Sequence, residues 1–390
     1  LVKRKKLKLD DNHKKCSRCV YDDTIPGITF DSYGVCSYCH TVDDLKIQYN
    51  TGRAKGYQEF ASIVAQIKKD GKRKKYDCVV GVSGGTDSSF LLDRAIHYGL
   101  RPLAVHYDNT WNTAIATQNI RKMLEYLKID LFTHVVDNKE ADDIFLSFFK
   151  ASVPDLDCST DIALSEVLYR AASHYKVKYI LEGHSFTTEG VSPLSHIYMD
   201  GKYISSVHKK FGTMPMKTFP NMSFWHFMKW TLFKRIKKIR PLWYLSYAKE
   251  PTQKYLHAKY GWENYGGHHL ENRITAFHNN WYGPNKFGLD YRVNSLSAAV
   301  REGLMTQEYA INQLETIPYI EDEILTYFKK RLGLSEDTFQ HIMNLPKKNF
   351  RDYKTYKKKF ERNKWLFYLL MKRNLIPQSF YNKYCMPWTG

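Results

Sequence analysis

The chain has 390 residues, 43% hydrophobic and 25% charged, an ordinary globular mixture long enough for two or three domains. No window of about 20 residues is free of charge, and no apolar stretch follows the basic start Leu1-Val2-Lys3-Arg4-Lys5-Lys6, so neither a membrane span nor a secretory signal is expected. The net charge of +19 leaves two readings open, an anionic macromolecule as partner or a small anionic substrate with generally basic, solvated faces. The scatter of Lys and Arg favours the second.

Residues 1–50 carry two cysteine pairs, Cys16/Cys19 and Cys36/Cys39, among Asp, Gly, Pro and Tyr. Close pairs in a long chain without a signal read as metal ligands in a reducing compartment, the cytoplasm, and not as a disulfide framework. Sixteen residues separate the pairs. Each makes a tight knuckle, and a hairpin joining them completes a tetrahedral sulfur site, the pattern of a structural zinc ribbon. Iron in the same tetrahedron is the alternative. Of the other cysteines, Cys78 reads as a small core residue. Cys158, in Asp157-Cys158-Ser159-Thr160-Asp161, reads as packing at a helix start, with a reactive thiol as the second reading.

Residues 54–70 show helical spacing, and the run 71–75 is a solvated connector. Asp77–Val82 is then a continuous apolar run, as expected of a buried parallel strand. After a Gly-rich turn, a helix is predicted over Ser89–Tyr98, with Gly99 as its stop. Strands follow at Pro102–Tyr107, Leu131–Val136 and Lys178–Glu182, with helices at Thr113–Leu127 and Ile162–Tyr175 between them. This alternation predicts an α/β fold with a doubly wound parallel sheet over roughly 76–205. Residues 206–290 are rich in aromatics and Gly and yield no assignment. Within them, Ser223–Tyr247 mixes Phe and Trp with Lys and Arg. It reads as core with snorkelling cations, or as a segment lying on an anionic membrane. From Leu296 to about 375 the pattern is helical, with Gly303 as a stop and Thr306 and Ser335 as caps.

Ser83-Gly84-Gly85-Thr86-Asp87-Ser88 sits directly after the first strand and opens the first helix of the sheet. The glycines let backbone approach an anion, and the helix N-terminus offers free N–H groups and a positive dipole end. Ser83 and Ser88 add hydroxyl donors. Asp87 would repel phosphate by itself, so it makes sense beside Mg²⁺; capping the helix is its structural alternative. The second strand ends at Val105-His106-Tyr107-Asp108, where backbone suits an adenine. The fourth ends before Gly183, followed by Glu189, either a Mg²⁺ ligand or a solvated carboxylate.

The loop resembles the Ser-Gly-Gly-x-Asp-Ser signature of the PP-loop ATP pyrophosphatases, which include GMP synthetase, NAD synthetase and tRNA-thiolating enzymes. The resemblance implies ATP with Mg²⁺, AMP placed on a carbonyl oxygen, and catalytic roles for Ser83, Asp87 and Ser88. From the cysteine module to about residue 315 the chain is similar to one subfamily, the N-acetyl sugar amidotransferases of bacterial surface-polysaccharide and lipopolysaccharide O-antigen synthesis. The stretches that carry this are Lys15–Val20, Asp23–Ile28, Gly81–Ser88, Asp108–Trp111, Glu182–His184, Trp262–Gly267 and Lys286–Asp290.

The subfamily implies conversion of an acetamido group on a UDP- or CMP-type sugar into an acetamidine, with AMP and pyrophosphate released. Its candidate sugar-binding positions here are Asn109, Trp111, Glu271, Arg273, Lys286, Asp290 and Arg292. His268 and His269 stand where the subfamily pattern usually has Lys and one other residue, and are added as candidates. The expected division is a zinc-ribbon module over 1–52, the PP-loop domain over 53–205, a substrate or partner region over 206–295, and a helical region over 296–390.

A glutaminase needs a nucleophilic cysteine, N-terminal or on a Gly-x-Cys-x-Gly elbow, and the sequence has neither. Ammonia is therefore expected from a partner. The resemblance suggests a glutaminase subunit similar to that of imidazole-glycerol-phosphate synthase, with a cyclase-like companion. The rival reading is a tRNA-thiolating enzyme, which suits the charge and the zinc module. Sulfur transfer, however, wants two or three cysteines near the crevice and only Cys158 is placed there. No nucleic-acid partner is expected.

Overall fold

The computed structural model describes residues 13–193, 197–267 and 270–387. Five short strands, β1 (Cys78–Gly81), β2 (Pro102–Asp108), β3 (Leu131–Val135), β4 (Tyr179–Leu181) and β5 (Lys237–Ile239), pair in parallel in the order β3-β2-β1-β4-β5. Their period of two divides the core. Cys78, Val80, Ala104, Tyr179 and Leu181 face one layer, which is made by helices α2 (Ala54–Gly71), α3 (Thr86–His97), α4 (Ala114–Leu127) and α9 (Lys249–Tyr260). Val79, Leu103, Val105 and Ile180 face the other, built on α5 (Asn138–Ala151), α6 (Cys158–His174), α7 (Gly201–Phe211) and α8 (Phe224–Met228). The chain runs outward from β1 to β3, then crosses to β4 on the far side of β1. The loops leaving β1 and β4 therefore diverge, and a crevice opens between them.

The sheet reaches beyond residue 205. Its fifth strand, Lys237-Lys238-Ile239, hides in the sequence because two lysines read as solvated. In the fold, Lys238 is half-buried and its Nζ sits 2.6 Å from Glu182, the residue after β4. The α5 helix also escapes a periodicity reading, although Asp137 caps it. Two carboxylates, Glu140 and Asp143, lie on its buried face. Glu140 accepts from the Thr218 and Phe219 N–H groups, and Asp143 from Thr213 and His208. Buried charge is tolerated there because each oxygen has donors. The α3 helix starts three residues earlier than the sequence spacing suggests, so Thr86–Ser88 form its first turn.

The remaining helices are α10 (Arg273–Phe277), followed by a π-helical stretch His278–Phe287, then α11 (Arg292–Arg301), α12 (Gln307–Glu315), α13 (Ile324–Arg331), α14 (Glu336–Asn344), α15 (Lys357–Arg362) and α16 (Lys364–Lys372). Thr306 and Ser335 cap α12 and α14 as their sequence positions predict. Near the N-terminus, Cys36 occupies the N-cap position of α1 (Ser37–Tyr49) and Cys39 lies in its first turn. Among the described residues no helix is long and apolar enough to cross a membrane.

Burial by itself would raise the Glu182 carboxyl, but Lys238 and Arg240 outweigh it and hold it at about 2. A depressed carboxyl stabilises the fold above its unfolded value of about 4.3, and that contribution is lost as pH falls through about 2, on the order of 3 kcal/mol in all. Glu182→Gln is expected to lose about this much at pH 7. Its deficit against the parent should shrink below about pH 4. Urea melts across pH test this, and a deficit independent of pH refutes it.

Candidate active site at the phosphate loop

The turn after β1 is shaped by what presses on it. Gly84 adopts φ +81°, and a β-carbon there would lie 2.2 Å from the Ala116 carbonyl oxygen, so only glycine fits beneath the first turn of α4. The Gly84 carbonyl accepts from Trp262 Nε1 at 3.1 Å and from Asn119 Nδ2 at 3.3 Å. Asn119 also exchanges hydrogen bonds with the Glu263 backbone. The segment Trp262–Tyr265 is thus the back wall of the loop. Gly183, after β4, packs against Asp87 and Ser88, where a β-carbon would sit 3.1 Å from the Asp87 backbone. Both glycines are needed for close approach.

The front of the loop is polar. Ser88 Oγ donates to the Gly85 carbonyl, and Gly85 N–H donates to Ser83 Oγ. Ser83 Oγ, Tyr265 OH and Glu271 Oε1 converge over the Cα of Gly85, each 3.1–3.3 Å from where a side chain would begin. The Tyr265 hydroxyl takes a hydrogen bond from the Thr86 N–H at the start of α3. Tyr247 donates to Asp87 Oδ1, and Lys249 Nζ lies 3.6 Å from Asp87 Oδ2. Burial, and then Asp87, raises the Tyr247 hydroxyl well above its ordinary value, so it remains a donor; Glu189 acts on it in the same sense. Asp87 and Glu189 thus share one neighbourhood. Carboxylates are the oxygen donors that suit Mg²⁺; here Asp87 is held by Tyr247 and Lys249, and Glu189 by His184 at 3.4 Å.

On the other side of the crevice, residues 271–273 bridge antiparallel onto 111–113. Thr113 N–H bonds the Glu271 carbonyl, and Arg273 N–H bonds the Trp111 carbonyl. Asn272 Nδ2 donates to Asn109 and Asn112, Asn109 donates to Thr160, and Asp157 holds both Thr160 and Thr275. His106 Nδ1 lies 2.7 Å from the Val82 carbonyl, and Asn112 Nδ2 is shared between His106 Nε2 and Asp108. His106 and Asp108 open onto a cleft of about 510 Å³ between α4 and β3, lined also by Ile120, Leu124 and Leu131. Val105 and Tyr107 point the opposite way, into the core.

The sequence-derived sugar candidates therefore separate. Glu271 reaches the loop, Asn109 is buried in the amide cluster behind it, and the Arg273 side chain turns to Glu321 and the Tyr327 ring. Trp111 is fully buried; its indole N–H bonds Asp142 and its ring lies 4.2 Å under Arg331, so it offers no face to a solute. Lys286 Nζ is buried against the Ile342 and Met343 carbonyls, and burial, then Lys347, pulls it down to about 8. Arg292 forks onto Asp290 and onto carbonyls at the end of α12. These three close a helix end and a corner, away from the loop. His268 and His269 lie outside the described residues. Tyr247, Lys249, Asn112 and Asn272 were not singled out by sequence, and Trp262, Tyr265 and Asp157 were marked only as parts of longer stretches, with no role at the site. They meet the site only because distant segments fold onto it.

Burial, with Asp155, Asp157 and Asp161 nearby, pushes the Cys158 thiol well above its ordinary value, which fits a packing role. The four N-terminal cysteines present Sγ atoms within 4.8 Å of one another, with Cys16–Cys39 at 3.8 Å and Cys19–Cys36 at 3.7 Å. Zn–S bonds of about 2.3 Å place the corners of a regular tetrahedron about 3.8 Å apart, so the cluster fits zinc. It is docked to the body. Gln307 donates to the Cys16 and Cys19 carbonyls, and Tyr21 OH donates to Val191, two residues past Glu189.

Arg331, from α13, bonds Asp142, the Thr110 carbonyl and the Thr110 hydroxyl. Thr110 has φ +65°, a costly angle for a branched residue, next to Asn109. Arg331→Ala is expected to cost about 2–3 kcal/mol, and Thr110→Gly is expected to gain about 1 kcal/mol by removing the strain in the parent but less in the Arg331→Ala background, where the angle can relax. An equal gain from Thr110→Gly in both backgrounds, read from denaturation midpoints, would show that Arg331 does not hold this angle. For the cluster, one zinc per chain is expected, and each single Cys→Ser change should release metal and unfold the N-terminal module. Metal analysis finding neither zinc nor iron in fresh protein sinks that expectation.

Residues 271–367 match a family model described as "LPS biosynthesis protein WbpG-like, C-terminal domain". Over 322 residues, 81% of this chain and 98% of the other, the chain is 25% identical to an uncharacterized protein of Methanocaldococcus jannaschii. Among solved structures, NMN synthetase from Francisella tularensis aligns with 14% identity over 75% of this chain and 97% of its own, at TM-score 0.34. NH3-dependent NAD synthetase from Campylobacter jejuni aligns with 12% identity over 68% and 99%, at TM-score 0.32. The family match begins at Glu271, the residue that reaches over the phosphate loop, so the region similar to the WbpG-like C-terminal domain of lipopolysaccharide biosynthesis meets the five-stranded parallel sheet at the crevice itself.

Proposed function

We propose that this protein is an ATP-dependent sugar amidotransferase that turns the acetamido group of a nucleotide-linked sugar into an acetamidine. One observation carries the reading: the lipopolysaccharide-type domain places Glu271 directly over Gly85 of the phosphate loop, with the Asn109–Asn112–Asn272 cluster beside it. An anion-binding helix terminus and a carboxylate held over it share one crevice, with the buried amide cluster fixing the wall behind them.

An amide carbonyl is a poor electrophile whose oxygen leaves badly. In the reaction, that oxygen attacks the α-phosphorus of ATP, and the bond to pyrophosphate breaks. Ammonia then adds through its lone pair to the activated carbon. The C–O bond breaks, AMP leaves, and a proton is lost. The first turn of α3 would hold the phosphates through its N–H groups, and Lys249 would add charge for the departing pyrophosphate. Asp87 and Glu189 would hold Mg²⁺, which would neutralise phosphate charge. Glu271 is placed to accept the proton released as ammonia adds. The cleft beside His106 and Asp108 is the adenine candidate.

The nitrogen is assigned to a partner glutaminase. Cys78, Cys158 and Cys385 are all buried and the other four form the cluster, which leaves no exposed nucleophilic thiol among the described residues. The same burial weighs against tRNA thiolation. The setting is taken to be the cytoplasm, where ATP and nucleotide sugars are found.

The test is to incubate candidate nucleotide sugars with ATP, Mg²⁺ and ammonium and weigh the products. Replacement of O by NH lowers the sugar mass by a single unit, with AMP appearing in equal amount. Asp87→Ala is expected to cut AMP formation at least about 100-fold with the fold retained. Unchanged ATP turnover in that variant refutes the loop's role. Glutamine supporting the reaction without any partner refutes the two-subunit scheme.

A further inference from the structure

The charge of this chain is not spread evenly. Residues 201–249 hold eleven Lys and Arg and no Asp or Glu, and residues 347–390 hold twelve against two. The rest of the chain holds 36 basic against 38 acidic residues. The whole excess of positive charge therefore belongs to two segments separated by 97 residues of sequence.

The fold packs these two segments on each other. Phe224 of α8 meets Phe360 of α15 at 5.5 Å and Phe367 of α16 at 6.2 Å, and Phe227 stacks on Phe380 at 4.9 Å. Lys359 lies 4.6 Å over the Trp225 ring, and Lys202 lies 5.8 Å over Tyr356. A few of the cations are tied to carboxylates, as Lys238 and Arg240 are to Glu182 and Lys357 is to Glu361. Lys209, Lys229, Lys234, Lys358, Lys364 and Lys372 are exposed.

Large apolar groups are exposed on the same two segments. The α16 helix buries Phe367 and Leu370 and turns the opposite face outward. There Trp365 (64% exposed), Tyr368 and Leu369 form one stripe, flanked by Lys364 and Lys372. Trp225 is 70% exposed and Phe233 75%. The Ser223–Tyr247 segment thus divides: Phe224, Phe227, Trp230 and Trp243 are core, whereas Trp225 and Phe233 face out.

We propose that this face seats the protein on a membrane surface bearing anionic lipid. A short helix showing Trp, Tyr and Leu between lysines has the form of an interfacial helix, its rings at headgroup level and its ammonium groups among lipid phosphates. A second copy of the same face is disfavoured, because like charge would meet like charge. A nucleic acid would satisfy the charge, but the outward face of α16 has no Asn, Gln or Arg to read bases, and Leu369 calls for hydrocarbon. The proposal is independent of the chemistry at the phosphate loop.

The experiment is cosedimentation of the full chain with vesicles of phosphatidylcholine alone and with vesicles that also contain phosphatidylglycerol, at low and high salt, with Trp fluorescence read in parallel. Binding to the anionic vesicles, a blue-shifted Trp spectrum and loss of binding in high salt are expected. Trp365→Ser with Leu369→Ser changes no charge and touches only exposed positions, so its thermal melt should match the parent. It is expected to weaken vesicle binding at least about tenfold. Lys364→Glu with Lys372→Glu is expected to do the same. No binding to anionic vesicles overturns the proposal. So does binding that the Trp365/Leu369 variant leaves intact, and so does tighter binding of a single-stranded oligonucleotide that the same variant does not weaken.

Discussion

The site depends on how closely α4 approaches Gly84. There is no room for a β-carbon between that residue and the Ala116 carbonyl, so the turn after β1 is fixed from behind before any ligand arrives. Trp262 and Asn119 then claim the Gly84 carbonyl, which would otherwise be a buried acceptor without a donor. The Gly85 N–H bonds Ser83 Oγ and the Thr86 N–H bonds the Tyr265 hydroxyl, so an anion on this turn would displace hydroxyls and not backbone carbonyls. Here the competing carbonyl is bound on the far side by side chains more than thirty residues away in sequence. Preorganisation of this kind removes the cost of ordering the loop at the moment of binding.

Buried carboxylates do a second kind of organising. Glu140 and Asp143 gather the backbone of residues 213–219, Glu182 draws β5 onto the sheet through Lys238 and Arg240, and Asp93 ties α3 to α9 through Tyr255, Lys259 and Tyr260. Each takes charged or N–H donors out of a segment too basic and too aromatic to have an obvious hydrophobic period. A neutral replacement would leave several donors unmatched at once, so these acids specify where the middle of the chain lies.

The crevice is assembled from both ends of the sequence. The sheet supplies the loop and the glycine after β4. The WbpG-like domain supplies Glu271–Thr275 on one wall and, through Arg331, the grip on Thr110. The cysteine module touches neither wall directly, yet Tyr21 reaches Val191 just beyond Glu189, and Gln307 ties the knuckle to α12. The Tyr21 hydroxyl is thus a direct link between the cysteine module and the loop that follows β4.

The order of strands and helices up to β4, the phosphate loop and the cysteine tetrad could be read from sequence, because each depends on local spacing: a period of two or 3.6, a glycine pair before a helix, two Cys-x-x-Cys knuckles. The same reading passed over α5 and β5, where charges sit at buried positions and cancel the pattern. It placed Trp111, Lys286, Asp290 and Arg292 near substrate. Family resemblance marks such positions without saying whether they bind or pack, and here Trp111 lies under Arg331 while the others close a helix end and a corner. Tyr247 and Asn272 carried no local signal, and Tyr265 was marked only within the Trp262–Gly267 stretch. Sequence by itself determined the chemistry available at the loop and the metal-binding composition of the knuckles. Only the tertiary structure decided which distant side chains face the loop and that two basic segments share one surface, because both depend on long-range packing that no local spacing encodes.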